Sequence, residues 1–135
     1  VDDTLRMTAI TRQNIENLPI VYMGFGEGAK IARKIMEESN SADGYVLADN
    51  FGKEKKTDEW EYGKKDIPLL ILSNAETSKK ANDNWAQELY NKYISAKFTD
   101  VRMILYKIEE KENISKEMKE KIFSELENWL RERNF

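Results

Sequence analysis

Ile20-Val21-Tyr22-Met23-Gly24-Phe25-Gly26-Glu27-Gly28-Ala29 is the run on which the reading of the fold turns: an apolar stretch meets three alternating glycines and then a segment with helical spacing. Glycine tolerates backbone conformations that other residues avoid, so a strand can swing sharply into a helix here. Two known devices use such a turn. One cradles a phosphate on the helix N-terminus, and the other holds a nucleophile in a strained strand-to-helix corner. The plainest reading needs neither, the glycines only letting the strand turn into a packed helix.

Outward from this turn, short apolar runs alternate with longer segments of helical periodicity, the pattern of βα units with parallel strands. Strands are expected at Ile20–Met23, Gly44–Ala48, Ile67–Leu72 and Val101–Lys107, apolar enough for both faces to be covered. Gly28–Ser39 carries Ile31, Ala32, Ile35 and Met36 as an amphipathic stripe. Ser78 is placed to cap a helix in which Ala81, Trp85, Leu89 and Tyr93 recur every four residues, and a last helix should run from after Ser115 to about Arg133. Thr4–Asn17 has weaker periodicity and is read as a first helix. Phe51–Asp66 is polar and turn-rich, a surface excursion with Trp60 and Tyr62 inside it as contacts for a ligand, a partner or its own domain.

These elements predict an α/β fold of three layers, αβα, with a short, mainly parallel four-stranded sheet in the order of the chain. A length of 135 residues fits a single domain, 1–135, standing alone or within a longer chain. The chain opens on Val1 rather than Met, so an upstream segment could have been removed. Its net charge of -3 comes from interspersed lysine and glutamate, with only Lys53–Lys56 dense and basic; no face suited to phosphates emerges, and nucleic acid is not an expected partner. No apolar run approaches the length that spans a bilayer, so a soluble protein is expected, cytoplasmic unless a signal has been removed.

There is no cysteine and no histidine. The first absence excludes disulfides and thiol chemistry; the second removes the usual general base near neutral pH and the commonest metal ligand. No metal and no cofactor are expected.

With the turn and the later strands in place, the chain resembles the carboxyl-terminal half of an α/β-hydrolase. Gly24-Phe25-Gly26-Glu27-Gly28 stands where that family has its nucleophile elbow, G-x-S-x-G, with both outer glycines matching. Asp43–Phe51 resembles the next strand, Asp66-Ile67-Pro68-Leu69-Leu70-Ile71-Leu72 the strand leading to the catalytic acid, and Val101–Lys107 with Leu126-Glu127-Asn128-Trp129-Leu130 the last strand and helix. The likeness spans nearly the whole chain but half of the family fold.

The catalytic triad that the resemblance implies fails at each corner. Gly26 replaces the serine, the acid region Ser73-Asn74-Ala75-Glu76-Thr77 offers only Glu76, and Ile108–Asn113 has no histidine. A catalytically degenerate domain serving binding or assembly is therefore expected, with an enzyme less favoured; the alternative within the family is a hydrolase whose missing groups come from an absent segment. Amides at Glu27 and Gly28 could still form a weakened oxyanion-like pocket, although the Glu27 carboxylate would compete with an anion.

A dinucleotide-binding fold competes with this reading: Gly24-Phe25-Gly26 followed by Ala29 approximates G-x-G-x-x-G/A, and Asp49 falls near where a ribose-binding acid is expected. In either case a small-molecule site would be rimmed by Phe25, Gly26, Glu27, Asp49, Asn50 and Asn74, with Ser73 and Glu76 close by. Glu109, Glu110 and Glu112 could offer carboxylates after the last strand, but an acidic solvated loop is the simpler account. The Ile20–Met23 strand would sit at a bare sheet edge, which predicts a missing amino-terminal half, a partner chain or a homo-oligomer there.

Overall fold

The computed structural model describes residues 2–14, 18–38, 42–48, 65–74, 85–106 and 116–135. Helix α1 (Asp2–Asn14) precedes strand β1 (Val21–Phe25), followed by α2 (Glu27–Glu38), β2 (Gly44–Ala48), β3 (Leu69–Asn74), α3 (Trp85–Ser95), β4 (Val101–Tyr106) and α4 (Lys116–Glu132). The four strands form one parallel sheet in the order β1-β2-β3-β4. It is the small α/β fold, with helices on both faces, that the alternating pattern predicts.

Strand alternation divides the core into two. Tyr45, Leu47, Leu69 and Ile71 point to the face covered by α2 and α3, where Ala29, Ala32, Ile35, Met36, Leu89 and Tyr93 meet them. Val46, Ala48, Leu70 and Leu72 point to the other face, which α4 covers with Trp129, Ile122, Leu126 and Leu130. Successive side chains on a strand point opposite ways, so central strands flanked by helices must be apolar at every position. β2 meets this condition and is buried throughout.

The strand ends differ from expectation for identifiable reasons. β3 begins at Leu69 rather than Ile67, because Pro68 has no N–H to give the ladder; its carbonyl still accepts from the Tyr45 amide at 3.0 Å. β1 runs through Gly24 to Phe25, beyond the expected Met23, since both residues remain in register with Leu47 and Ala48. Its entry is tied to β2 twice: the Ile20 amide donates to Asp43 Oδ2 at 2.8 Å, and the Asp43 amide donates to the Ile20 carbonyl at 2.7 Å.

Helices α3 and α4 stop in the same way. Lys97 and Asn134 take positive φ, 73° and 60°. The following Phe98 and Phe135 amides donate back five residues to Tyr93 and Leu130, and the Lys97 and Asn134 amides donate back three, the paired bonds of a Schellman motif. Each phenylalanine then packs edge-on against an aromatic ring of its own helix, Tyr93 or Trp129. Among the described residues, no helix is long and apolar enough to cross a membrane.

Candidate functional site

The corner between β1 and α2 separates the roles of its three glycines. At Gly24 a Cβ would lie 2.3 Å from the Gly28 carbonyl oxygen and 2.6 Å from the Ala29 Cα, so the first turn of α2 rests directly on the strand. Gly26 makes the turn itself, at φ +57°, with its amide donating to the Ala48 carbonyl at 3.0 Å and its carbonyl accepting from the Ala29 amide at 3.1 Å. That conformation costs other residues roughly 1–2 kcal/mol, which glycine escapes. Among the described residues, and apart from its two chain neighbours, no atom lies within 4 Å of where a Gly26 Cβ would be, and Gly28 is similarly unobstructed without the positive φ.

Among the described residues, the rim near this corner is sparse in chemistry. Phe25 is 61% exposed, and Glu27 is exposed and paired with Lys30 at 3.2 Å, turning its carboxylate along α2. The Glu27 and Gly28 amides belong to the first helical turn, where no preceding carbonyl of the helix can accept them. Those donors and the Glu27 carboxylate are what the described corner presents; it has no nucleophile, and the chain has no histidine to activate one.

In register, Leu72 aligns with Ala48 and Phe25, so Ser73 is level with Gly26. Its alternation with Leu72 aims it at the α2 and α3 face, where its Oγ is fully buried and finds no hydrogen-bond partner among the described residues. Asn74 ends β3 opposite Tyr106. Asp49, Asn50 and Glu76 lie outside the described residues, as do the 51–64 excursion, the expected Ser78 cap and Glu109, Glu110 and Glu112. Among the described residues, no three acidic side chains group as a metal site would require.

Two features escaped the sequence reading. Arg33 is buried at 3% exposure within α2 and paired with Glu37 at 2.8 Å, whereas Ile31, expected on the inner stripe, is exposed. The spacing of Ala29, Ala32, Arg33 and Met36 marks the inner face once a charged residue is admitted to it, and Glu37 one turn later was the available signal. The second feature is a cleft of about 290 Å³ between β4 and α4, lined by Arg102, Lys121, Ser124, Glu125, Asn128 and Glu132. Its two cations and two carboxylates leave it no net charge to recruit an ionic ligand.

Compared with models of known families, with curated proteins and with solved structures, the chain matches none.

Proposed function

We propose that this chain is an α/β-hydrolase-like domain, resembling the carboxyl-terminal half of that family's fold, whose nucleophile corner is catalytically silent and which serves binding or assembly. The observation that carries the reading is Gly26 at φ +57° between β1 and α2, with no side chain where the resemblance implies a serine. The strand, corner, helix and three following parallel strands occur in the order the resemblance requires. A corner retaining the turn without the hydroxyl, in a chain without histidine, can hold a carbonyl against helix amides but has no proton acceptor for acyl transfer. The dinucleotide alternative draws on the same glycines, but its ligand sits where strand order reverses, and the order β1-β2-β3-β4 has no reversal among the described residues.

The test is a panel of short-chain aryl esters. We expect no turnover above buffer from the chain, and none from Gly26→Ser, which has room for its hydroxyl and should fold with a loss of about 1 kcal/mol. Ester hydrolysis that disappears in Glu76→Gln would overturn the reading in favour of a working hydrolase. Saturable NADH binding, seen by energy transfer from tryptophan and lost in Asp49→Ala, would replace it with the dinucleotide fold.

A further inference from the structure

We propose that a second copy of this chain covers the free edge of β1, the two β1 strands pairing antiparallel about a two-fold axis at Met23 and joining two four-stranded sheets into one. The inference stands apart from the hydrolase-like reading, because it rests on the edge and not on the corner.

Backbone direction fixes which groups are on offer. The Ile20 carbonyl and the Gly26 amide both bond to β2, and strand residues alternate the side to which their N–H and C=O point. Ile20, Tyr22, Gly24 and Gly26 therefore face β2, whereas Val21, Met23 and Phe25 turn their amides and carbonyls to the free edge. Among the described residues, β1 pairs with β2 alone. Three outward residues centred on Met23 are symmetric about that residue. An antiparallel copy places Met23 opposite Met23 and Val21 opposite Phe25, each pair exchanging both backbone bonds.

Charge selects the occupant. In a two-fold pair every side chain at the axis meets its own kind, so a charged strand repels itself, and an uncharged one does not. Leu18–Phe25 carries no charge. In the opposite edge strand, β4, the Asp100 carbonyl bonds to β3, so Val101, Met103 and Leu105 turn outward; the same pairing centred on Met103 would set the two exposed Arg102 side chains on diagonal positions about 7–8 Å apart, within reach of each other.

The side chains agree with this geometry. An axis perpendicular to the sheet keeps each face continuous across the junction. Met23, 43% exposed, and Phe25 point to the α4 face together with Val21. At about 3.6 residues per turn, Phe123 lies on the flank of α4 opposite Lys121, Glu125, Asn128 and Glu132, which line the cleft with Arg102 of β4. Phe123 thus lies on the β1 side, and it is 65% exposed. The two copies would bring Met23, Phe25 and Phe123 into one apolar strip, removing from water the large exposed apolar side chains on that face.

Sedimentation over roughly a hundredfold range of concentration should show a monomer–dimer equilibrium. Met23→Lys should raise the dissociation constant by about a hundredfold or more, since both copies place the charge at the axis. The chain has no cysteine of its own, so Met23→Cys gives a single thiol. Hydrogen-bonded antiparallel partners have Cα atoms about 5.5 Å apart, within disulfide reach. Mild oxidation should crosslink Met23→Cys, and should crosslink Val21→Cys mixed with Phe25→Cys, but not Leu105→Cys on β4. A chain that stays monomeric throughout the range would overturn the proposal. So would a dimer that tolerates Met23→Lys or crosslinks through Leu105→Cys in preference to Met23→Cys.

Discussion

At one edge of the sheet, β1 presents an uncharged run with Met23 and Phe25 open to water; at the other, β4 presents Arg102 paired with Glu132 and lies beside the charged flank of α4. The same parallel ladder ends at both, so backbone geometry does not distinguish them. What differs is the helix alongside. α4 descends over β4 and closes at its foot, where Arg133 grips Asp100 at the entry to β4 through two hydrogen bonds. Natural sheets blunt exposed edges with charge or cover them. Among the described residues β4 is finished in this way and β1 is not, and the proposed dimer rests on that asymmetry.

The largest expected effect would break the finished edge. Trp129 is fully buried on the α4 face, its ring stacked edge-on to Phe135 and lying 4.8 Å beneath the Arg133 guanidinium. Trp129→Ala should cost about 4 kcal/mol, read as a lower urea midpoint by circular dichroism, because α4 has no comparable anchor on the sheet. A loss below about 1 kcal/mol would mean that α4 is not what seals this side. A smaller cut sharpens the point: Arg133→Ala keeps the ring but removes the paired bonds to Asp100 and the bond to the Trp129 carbonyl at 3.1 Å. The partly buried site is shielded from full solvent screening, so a loss of about 2 kcal/mol is expected. Its unfolding should respond to added salt less than that of an exposed pair would.

How far these edges could be read in advance varied with the physics involved. Gly44–Ala48 was legible residue for residue, because a strand covered on both faces must be apolar throughout, and flanking polar residues bound it. The β3 start slipped by two residues because apolar content suggests Ile67 while hydrogen bonding excludes Pro68. The glycine corner was visible as a pattern, but not which glycine did what; Gly24 answers to close packing and Gly26 to backbone angle, and a spacing rule records neither. Arg33 gave no sign of its burial because an apolar stripe does not register a charged residue, whereas a guanidinium with Glu37 one turn away satisfies the same face. The place of β1 at the edge of the described sheet was legible from strand order. The closing of β4 by Arg133 and Asp100 was not, since residues 33 apart in sequence give no local signal.

The smallest expected stability effect carries the most information about edges. Arg102 and Glu132 are 3.5 Å apart, and both side chains are about half exposed, so water and salt screen their attraction. Such a pair contributes less than about 0.5 kcal/mol, and Arg102→Val should leave the urea midpoint almost unchanged, valine also being well suited to a strand. If Arg102 instead acts as a guard, its removal should appear in association. β4 would then resemble β1, uncharged on the α4 face with a free ladder, and Arg102→Val should form species larger than a dimer, because a chain with two pairing edges propagates where a chain with one closes. Light scattering at matched stability separates the two roles. Growth beyond the dimer would show that one exposed charge keeps β4 an end, whereas unchanged scattering would assign that work to the overhang of α4 alone.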